Sequence, residues 1–236
     1  PARSARRSMT APGARPRYRA ALFDLDGTLV DTAEDLAAAA NRMLAELGRP
    51  ALPEEGIRDY IGKGVVNLVH RCFEATGGGT EEEQRHALKV FERHYLSGIA
   101  VRSRPYPGVL EGLDALERAG VAMGCVTNKA GRFTEALLVA TGLRRYFGVV
   151  VSGDTVERKK PHPDPLLHAA GKLGAVPSET LMVGDSRNDV LSARAAGCPV
   201  VVVPYGYREG LSLEELGADA VVASVEEAAR SITMAA

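Results

Sequence analysis

Two carboxylates separated by one residue, Asp24 and Asp26, close an apolar run over residues 18–23 and are followed by Gly27, Thr28, Leu29, Val30 and Asp31. Side chains alternate along a strand, so both carboxylates project to the same side where such a run ends. Like charges held this close raise each other's proton affinity unless a cation offsets them. The pair therefore calls for further carboxylates to share a metal, a lysine, and hydroxyl or amide donors.

The rest of the chain supplies these groups at matching places. The apolar run 121–126 ends in Thr127-Asn128-Lys129, a hydroxyl, an amide and an ammonium just ahead of a helical pattern, which suits an anion. The run 181–183 ends in Gly184-Asp185, with Asp189 four residues on, and Mg2+ takes oxygen donors of this kind alongside waters and a phosphate. Lys160 precedes Pro161-His162-Pro163, prolines that stiffen its loop and fix a cation for the acidic group. Each motif alone has a plainer reading, a turn about Gly27 or a helix N-cap by Thr127, Asn128, Asp185 or Asp189. Four in order, each after an apolar run, point to one site. The five histidines have no zinc spacing.

The elements that must position these groups alternate. From residue 105 onward, helical patterns at 109–119, 132–141, 164–173 and 187–196 interleave with short Val-, Leu- and Met-rich runs at 121–126, 149–152, 181–183, 200–203 and 220–222. Alternation of this kind predicts right-handed crossovers and a parallel sheet that binds ligands at the carboxyl ends of its strands. Residues 32–101 read differently, with helical patterns at 32–47, 53–61, 65–75 and 80–97 and no strand. At roughly seventy residues this unit is too small to stand comfortably alone, which suggests an insertion. The expected fold class is α/β, a Rossmann-like parallel-sheet core over 19–31 and 102–236 with an inserted helical-bundle cap over 32–101.

Composition narrows the function classes. With 45% hydrophobic and 25% charged residues, the chain reads as an ordinary soluble globular protein. Residues 1–19 hold six arginines and no acid, so the remainder carries a net charge of −7 against −1 for the whole chain. A body of that sign predicts no nucleic-acid partner. Residues 1–18 are expected to be a disordered basic leader, or to precede the true start at Met9, rather than a targeting segment. No apolar run spans a membrane, and three scattered cysteines suit a reducing cytoplasm.

In Asp24-Leu25-Asp26-Gly27-Thr28, Thr127-Asn128, Lys160-Pro161 and Gly184-Asp185 through Asp189, the chain resembles the haloacid dehalogenase superfamily. The resemblance covers everything after the leader and implies a cap inserted behind the first motif. It also implies roles. Asp24 attacks phosphorus and forms an aspartyl-phosphate, and Asp26 protonates the leaving oxygen and then activates water. Thr127 and Asn128 donate to the phosphoryl oxygens, and Lys160 offsets charge on Asp24 and the phosphate. Mg2+ is held by Asp24, the backbone carbonyl of Asp26, Asp185 and Asp189.

Dehalogenases of the superfamily lack the second acid, so Asp26 favours phosphoryl transfer, with phosphosugar mutases still open and a non-catalytic module the remaining alternative. Residues 31–36, 57–64 and 204–207 resemble the phosphoglycolate phosphatases of this superfamily, which implies a small phosphate monoester as substrate, 2-phosphoglycolate first. Its carboxylate needs a cation from the cap, and Lys63 between Gly62 and Gly64 is the candidate. A monomer or homodimer is expected.

Overall fold

The computed structural model describes residues 16–208 and 210–234. Its centre is β1 (Ala20–Phe23), whose four residues are all fully buried because both faces of the strand are covered. A short strand β2 (Val30–Asp31) then leads into four helices, α1 (Ala33–Glu46), α2 (Glu54–Arg58), α3 (Val65–Ala75) and α4 (Glu81–Ser97). The chain returns through β3 (Arg104–Pro105), which pairs antiparallel with β2, Val30 against Pro105 and Asp31 against Arg104. After it come α5 (Val109–Arg118), β4 (Ala122–Val126), α6 (Gly131–Ala140), β5 (Val149–Val151), α7 (Asp164–Lys172), β6 (Thr180–Gly184), α8 (Arg187–Ala196), β7 (Val200–Val202), α9 (Leu213–Leu216), β8 (Ala220–Val221) and α10 (Val225–Thr233).

The six longer-range strands form one parallel sheet in the order β5-β4-β1-β6-β7-β8. Alternation along β1 sends Ala21 and Phe23 into a core shared with α5, α6 and α10, while Leu22 faces a second core built with α7 and α8. Phe23 pairs with Cys125 on one side and Val183 on the other, so β1, β4 and β6 end at one level. Asp24, Thr127 and Asp185 thus emerge together.

The four helices between β2 and β3 bury their own cluster, including Met43, Leu44, Ile57, Phe73, Phe91 and Tyr95, and this cluster also takes Phe133 and Tyr207 from the sheet-bearing part. Both crossings between the two parts are pinned. Asp35 of α1 accepts from Arg102 N (3.0 Å), Ser103 N (2.8 Å) and Ser103 Oγ (2.6 Å). Tyr207 Oη accepts from Thr32 N (2.8 Å) and Ala33 N (3.0 Å) at the start of α1 and donates to Asp31 Oδ1 (2.8 Å).

Several elements depart from the sequence reading. The ribbon β2–β3 joins two-residue strands more than seventy positions apart, too short for any period to register. Helices α9 and α10 were not anticipated, although Ser212 and Ser224 accept from the amides of Glu215 and Glu227 as ordinary N-caps. Of the leader expected over 1–18, residues 1–15 lie outside the described residues. Arg17 N donates to Ile232 O (2.9 Å), and Tyr18 packs against the core, so these two join the ordered body. No helix among the described residues is long and apolar enough to cross a membrane.

Candidate active site

The ends of β1, β4 and β6 gather four carboxylates, Asp24, Asp26, Asp185 and Asp189, around two buried ammoniums, Lys129 and Lys160. Asp185 sits at the tip of β6, where Oδ1 accepts from Thr28 Oγ1 and Oδ2 from Tyr207 N, both at 2.6 Å. Asp189, in the first turn of α8, accepts from Ser186 N (3.0 Å) and Ser186 Oγ (2.7 Å) through Oδ2. Its other oxygen receives Lys160 Nζ at 2.7 Å. Asp189 therefore braces the turn and the lysine at once.

Lys160 donates to Val126 O (2.7 Å) as well and faces Asp24 Oδ1 at 2.9 Å. That last contact lies off the hydrogen-bonding direction, so Asp24 Oδ1 is buried with an ion pair but no hydrogen bond. Burial would lower the Lys160 proton affinity, but Asp189 and Asp24 more than offset it and hold the side chain charged. Burial also pushes Asp24 up to about 7, helped by Asp189 and Asp26 and opposed by Lys160. Asp185 is raised well above the carboxylate range, by burial first and then by Asp189 and Asp24.

These shifts mark a site short of positive charge, since four carboxylates against two ammoniums leave a formal excess of −2, which a divalent cation would neutralise. The donor set fits one. Asp24, Asp185 and Asp189 each offer an oxygen, and the three lie within 4.8 Å of one another. Mg2+ holds oxygen ligands at about 2.1 Å, so ligand pairs span up to about 4.2 Å. Asp24 Oδ1, buried without a hydrogen bond, belongs to one of the three carboxylates. The Asp185 carboxylate lies in a cradle that a Cβ at Gly27 or Gly206 would fill, and Gly27 has φ 86° besides.

Above the carboxylates lies a small cavity of about 30 Å³, floored by Asp24, Asp26, Thr127, Asn128 and Lys129 and roofed by Leu36, Tyr60, Ile61, Gly62, Gly64, Val65 and Leu68. Nucleophilic carboxylate, metal-ligating acids, a fixed lysine and a hydroxyl donor meet at one end of it. Such a constellation can drive displacement at an anionic centre.

A family model described as haloacid dehalogenase-like hydrolase matches residues 21–203. The chain belongs to this family. A phosphoglycolate phosphatase of Thiobacillus denitrificans is 49% identical over 221 residues, covering 92% of this chain and 96% of the relative. Among solved structures, one described as a predicted phosphoglycolate phosphatase from Haemophilus somnus aligns with TM-score 0.87 and 32% identity, covering 91% of this chain and 97% of that one. A variant of CbbY from Rhodobacter sphaeroides in complex with xylulose-(1,5)-bisphosphate aligns with TM-score 0.79 and 26% identity over 92% of this chain and 100% of that one.

Within this haloacid dehalogenase-like frame, the structure brings Asp24, Asp26, Thr127, Asn128, Lys160, Asp185 and Asp189 together. Thr127 Oγ1 accepts from Lys129 N (3.2 Å), which leaves its proton for an anion. Asn128 lines the cavity too, and its Nδ2 donates to Lys160 O (2.9 Å) and Gly62 O (3.2 Å). Its amide ties the Lys160 loop to the helical insertion.

Of the three cap residues expected to set specificity, two line the cavity. Gly62 and Gly64 line the cavity, but Lys63 lines a neighbouring cleft with Arg187, Asn188 and Arg208. Positive φ at both glycines (114° and 87°) turns the loop, so that its backbone faces the core and Lys63 O accepts from Lys159 Nζ at 2.9 Å.

Two residues matter more than the sequence reading gave them. Lys129 Nζ lies 3.0 Å from both Asp26 oxygens, whose Oδ1 also accepts from Thr32 Oγ1 (2.9 Å). Its position directly after Thr127-Asn128 was the available signal. Tyr207 joins the start of α1 to Asp185 through its hydroxyl and its amide, a through-space link that no spacing reveals.

Proposed function

We propose that this chain is a Mg2+-dependent phosphoric monoester hydrolase that works through an aspartyl-phosphate on Asp24, with 2-phosphoglycolate as its leading substrate and glycolate and phosphate as products. The observation that carries this reading is the Asp24 carboxylate, buried beside Lys160 with Oδ1 free of hydrogen bonds and clustered with Asp185 and Asp189. Burial raises the proton affinity of this carboxylate, and a cation bound beside it would keep it ionised and available as a nucleophile.

Phosphate-monoester hydrolysis requires up to about 20 kcal/mol or more of transition-state stabilisation. Asp24 attacks phosphorus in line, and Lys160 and Thr127 stabilise the phosphoryl oxygens. Asp26, two residues on and at the same cavity floor, gives a proton to the leaving oxygen and takes one from the water that opens the aspartyl-phosphate. Bound by Asp24, Asp185, Asp189 and the Asp26 carbonyl, Mg2+ would supply charge that lets a carboxylate approach a phosphate dianion. Residues 32–101 act as the cap that closes the cavity and sets specificity, while 19–31 and 102–236 carry the chemistry.

The substrate assignment draws support from the phosphoglycolate phosphatase relatives at 49% identity and from a roof of apolar side chains and glycines over a small cavity. The sugar bisphosphate bound by the CbbY variant keeps phosphorylated sugars as a second reading. Inorganic phosphate release from a panel of small phosphorylated acids and sugars, with Mg2+ and with EDTA, tests both. A preference for 2-phosphoglycolate lost in EDTA is expected. A preference for sugar phosphates, or sugar isomerisation without phosphate release, would overturn the assignment.

A further inference from the structure

If the substrate is a phosphorylated acid, it carries a carboxylate as well as a phosphate, and the cavity must hold a cation for each. Lys160 belongs to the phosphate end, where its ammonium meets Val126 O, Asp189 and Asp24 at 2.7, 2.7 and 2.9 Å. The roof, from Leu36 to Leu68, contributes no cation, and Lys63 lines another cleft. Among the described residues lining the cavity, Lys129 is the positively charged one.

Its position matches the chemistry. Asp26 serves the oxygen that bridges phosphorus and the leaving group, and in a phosphorylated 2-hydroxy acid the carboxylate carbon is two bonds from that oxygen. A group touching both oxygens of Asp26 therefore stands beside the substrate's carboxylate. Lys129 Nζ does so, at 3.0 Å from each. It is only 3% exposed, and the ring of Tyr95, from α4, covers it with its centroid 4.7 Å away. A charge-assisted contact gains strength in so dry a setting.

We propose that Lys129 is a specificity-determining residue that binds the carboxylate of a short phosphorylated 2-hydroxy acid while remaining beside Asp26, so that the core rather than the cap loop reads the acid. The inference rests on the phosphatase reading above and adds the residue that selects the substrate class.

The test compares 2-phosphoglycolate with 2-phosphoglycolamide, in which only the carboxylate charge is removed, in the wild type, Lys129→Gln and Lys129→Arg, with Mg2+ present. The wild type is expected to favour the acid. Lys129→Gln should raise KM for the acid by about 10- to 100-fold, the loss expected for one charge-assisted contact, and abolish the preference over the amide. Lys129→Arg should retain most of it.

Calorimetry on the turnover-blocked Asp24→Asn protein adds a reading independent of rate. There, Lys129→Gln should weaken 2-phosphoglycolate at least about tenfold more than inorganic phosphate. Equal losses on acid and amide, falling on kcat with the preference intact, would overturn the proposal and leave Lys129 as a brace for Asp26. Absence of any acid preference in the wild type would instead overturn the substrate reading itself. Should Lys129→Gln fail to fold, Lys129→Met carries the same comparison.

Discussion

Replacing Asp24 with Asn tests the electrostatics of the site apart from its chemistry. The side chain keeps its shape and loses its charge. In the metal-free protein, Asp24 is raised from 3.8 to about 7, chiefly by burial. The folded state then binds more protons than the unfolded one between about pH 4 and 7, so wild-type stability from this group falls as pH rises through that window. A displacement of this size corresponds to a cost on the order of 4 kcal/mol once the carboxyl is ionised in both states. Asn carries no such cost. Urea unfolding in EDTA should therefore give a stability difference between variant and wild type that moves toward the variant by that order from pH 4 to pH 8. Saturating Mg2+ should reverse part of the gap by stabilising the wild type, about 2.7 kcal/mol at a hundredfold excess over Kd. Turnover should be abolished throughout. Parallel pH curves for the two proteins, or equal stabilisation of both by Mg2+, would refute the reasoning.

Two further outcomes follow from the same geometry. Lys160→Met removes the ammonium that lies between Asp24 and Asp189, and breaking a buried pair of this kind costs about 3–5 kcal/mol. Denaturation in EDTA should register that loss, and kcat on p-nitrophenyl phosphate should fall by about 10²–10³ or more. Gly206→Ala sends a Cβ into the Asp185 side chain while changing none of the reacting residues. Calorimetry should find Mg2+ bound at least about tenfold more weakly, and activity should recover at high Mg2+.

How far the sequence could be read depended on whether a feature is local. β1, β4, β6 and β7 declare themselves as apolar runs, and the chemistry-bearing residues sit directly after them, which made Asp24, Asp26, Thr127 and Asp185 legible. The single interruption of the βα alternation marked where the four helices enter. What escaped was decided through space. Lys129 was visible as an ammonium at a strand end, but its choice of Asp26 as partner depends on how β1 and β4 align. Lys63 was named for its charge, whereas its direction follows from the backbone at Gly62 and Gly64. Tyr207 links Asp185 to the start of α1 across more than 170 positions, and the ribbon β2–β3 joins residues more than seventy positions apart with only two per strand. Neither leaves a periodic trace.

Phosphoryl transfer to Asp24 is the central step of the proposed reaction. Acid quenching of the Mg2+-loaded enzyme during turnover of 2-phosphoglycolate, followed by peptide mapping, reads this directly. The expected result is a phosphoryl group on Asp24, retained when Asp26 is changed to Asn and absent from Asp24→Asn. A phosphoryl adduct elsewhere, or full turnover by Asp24→Asn, would contradict it.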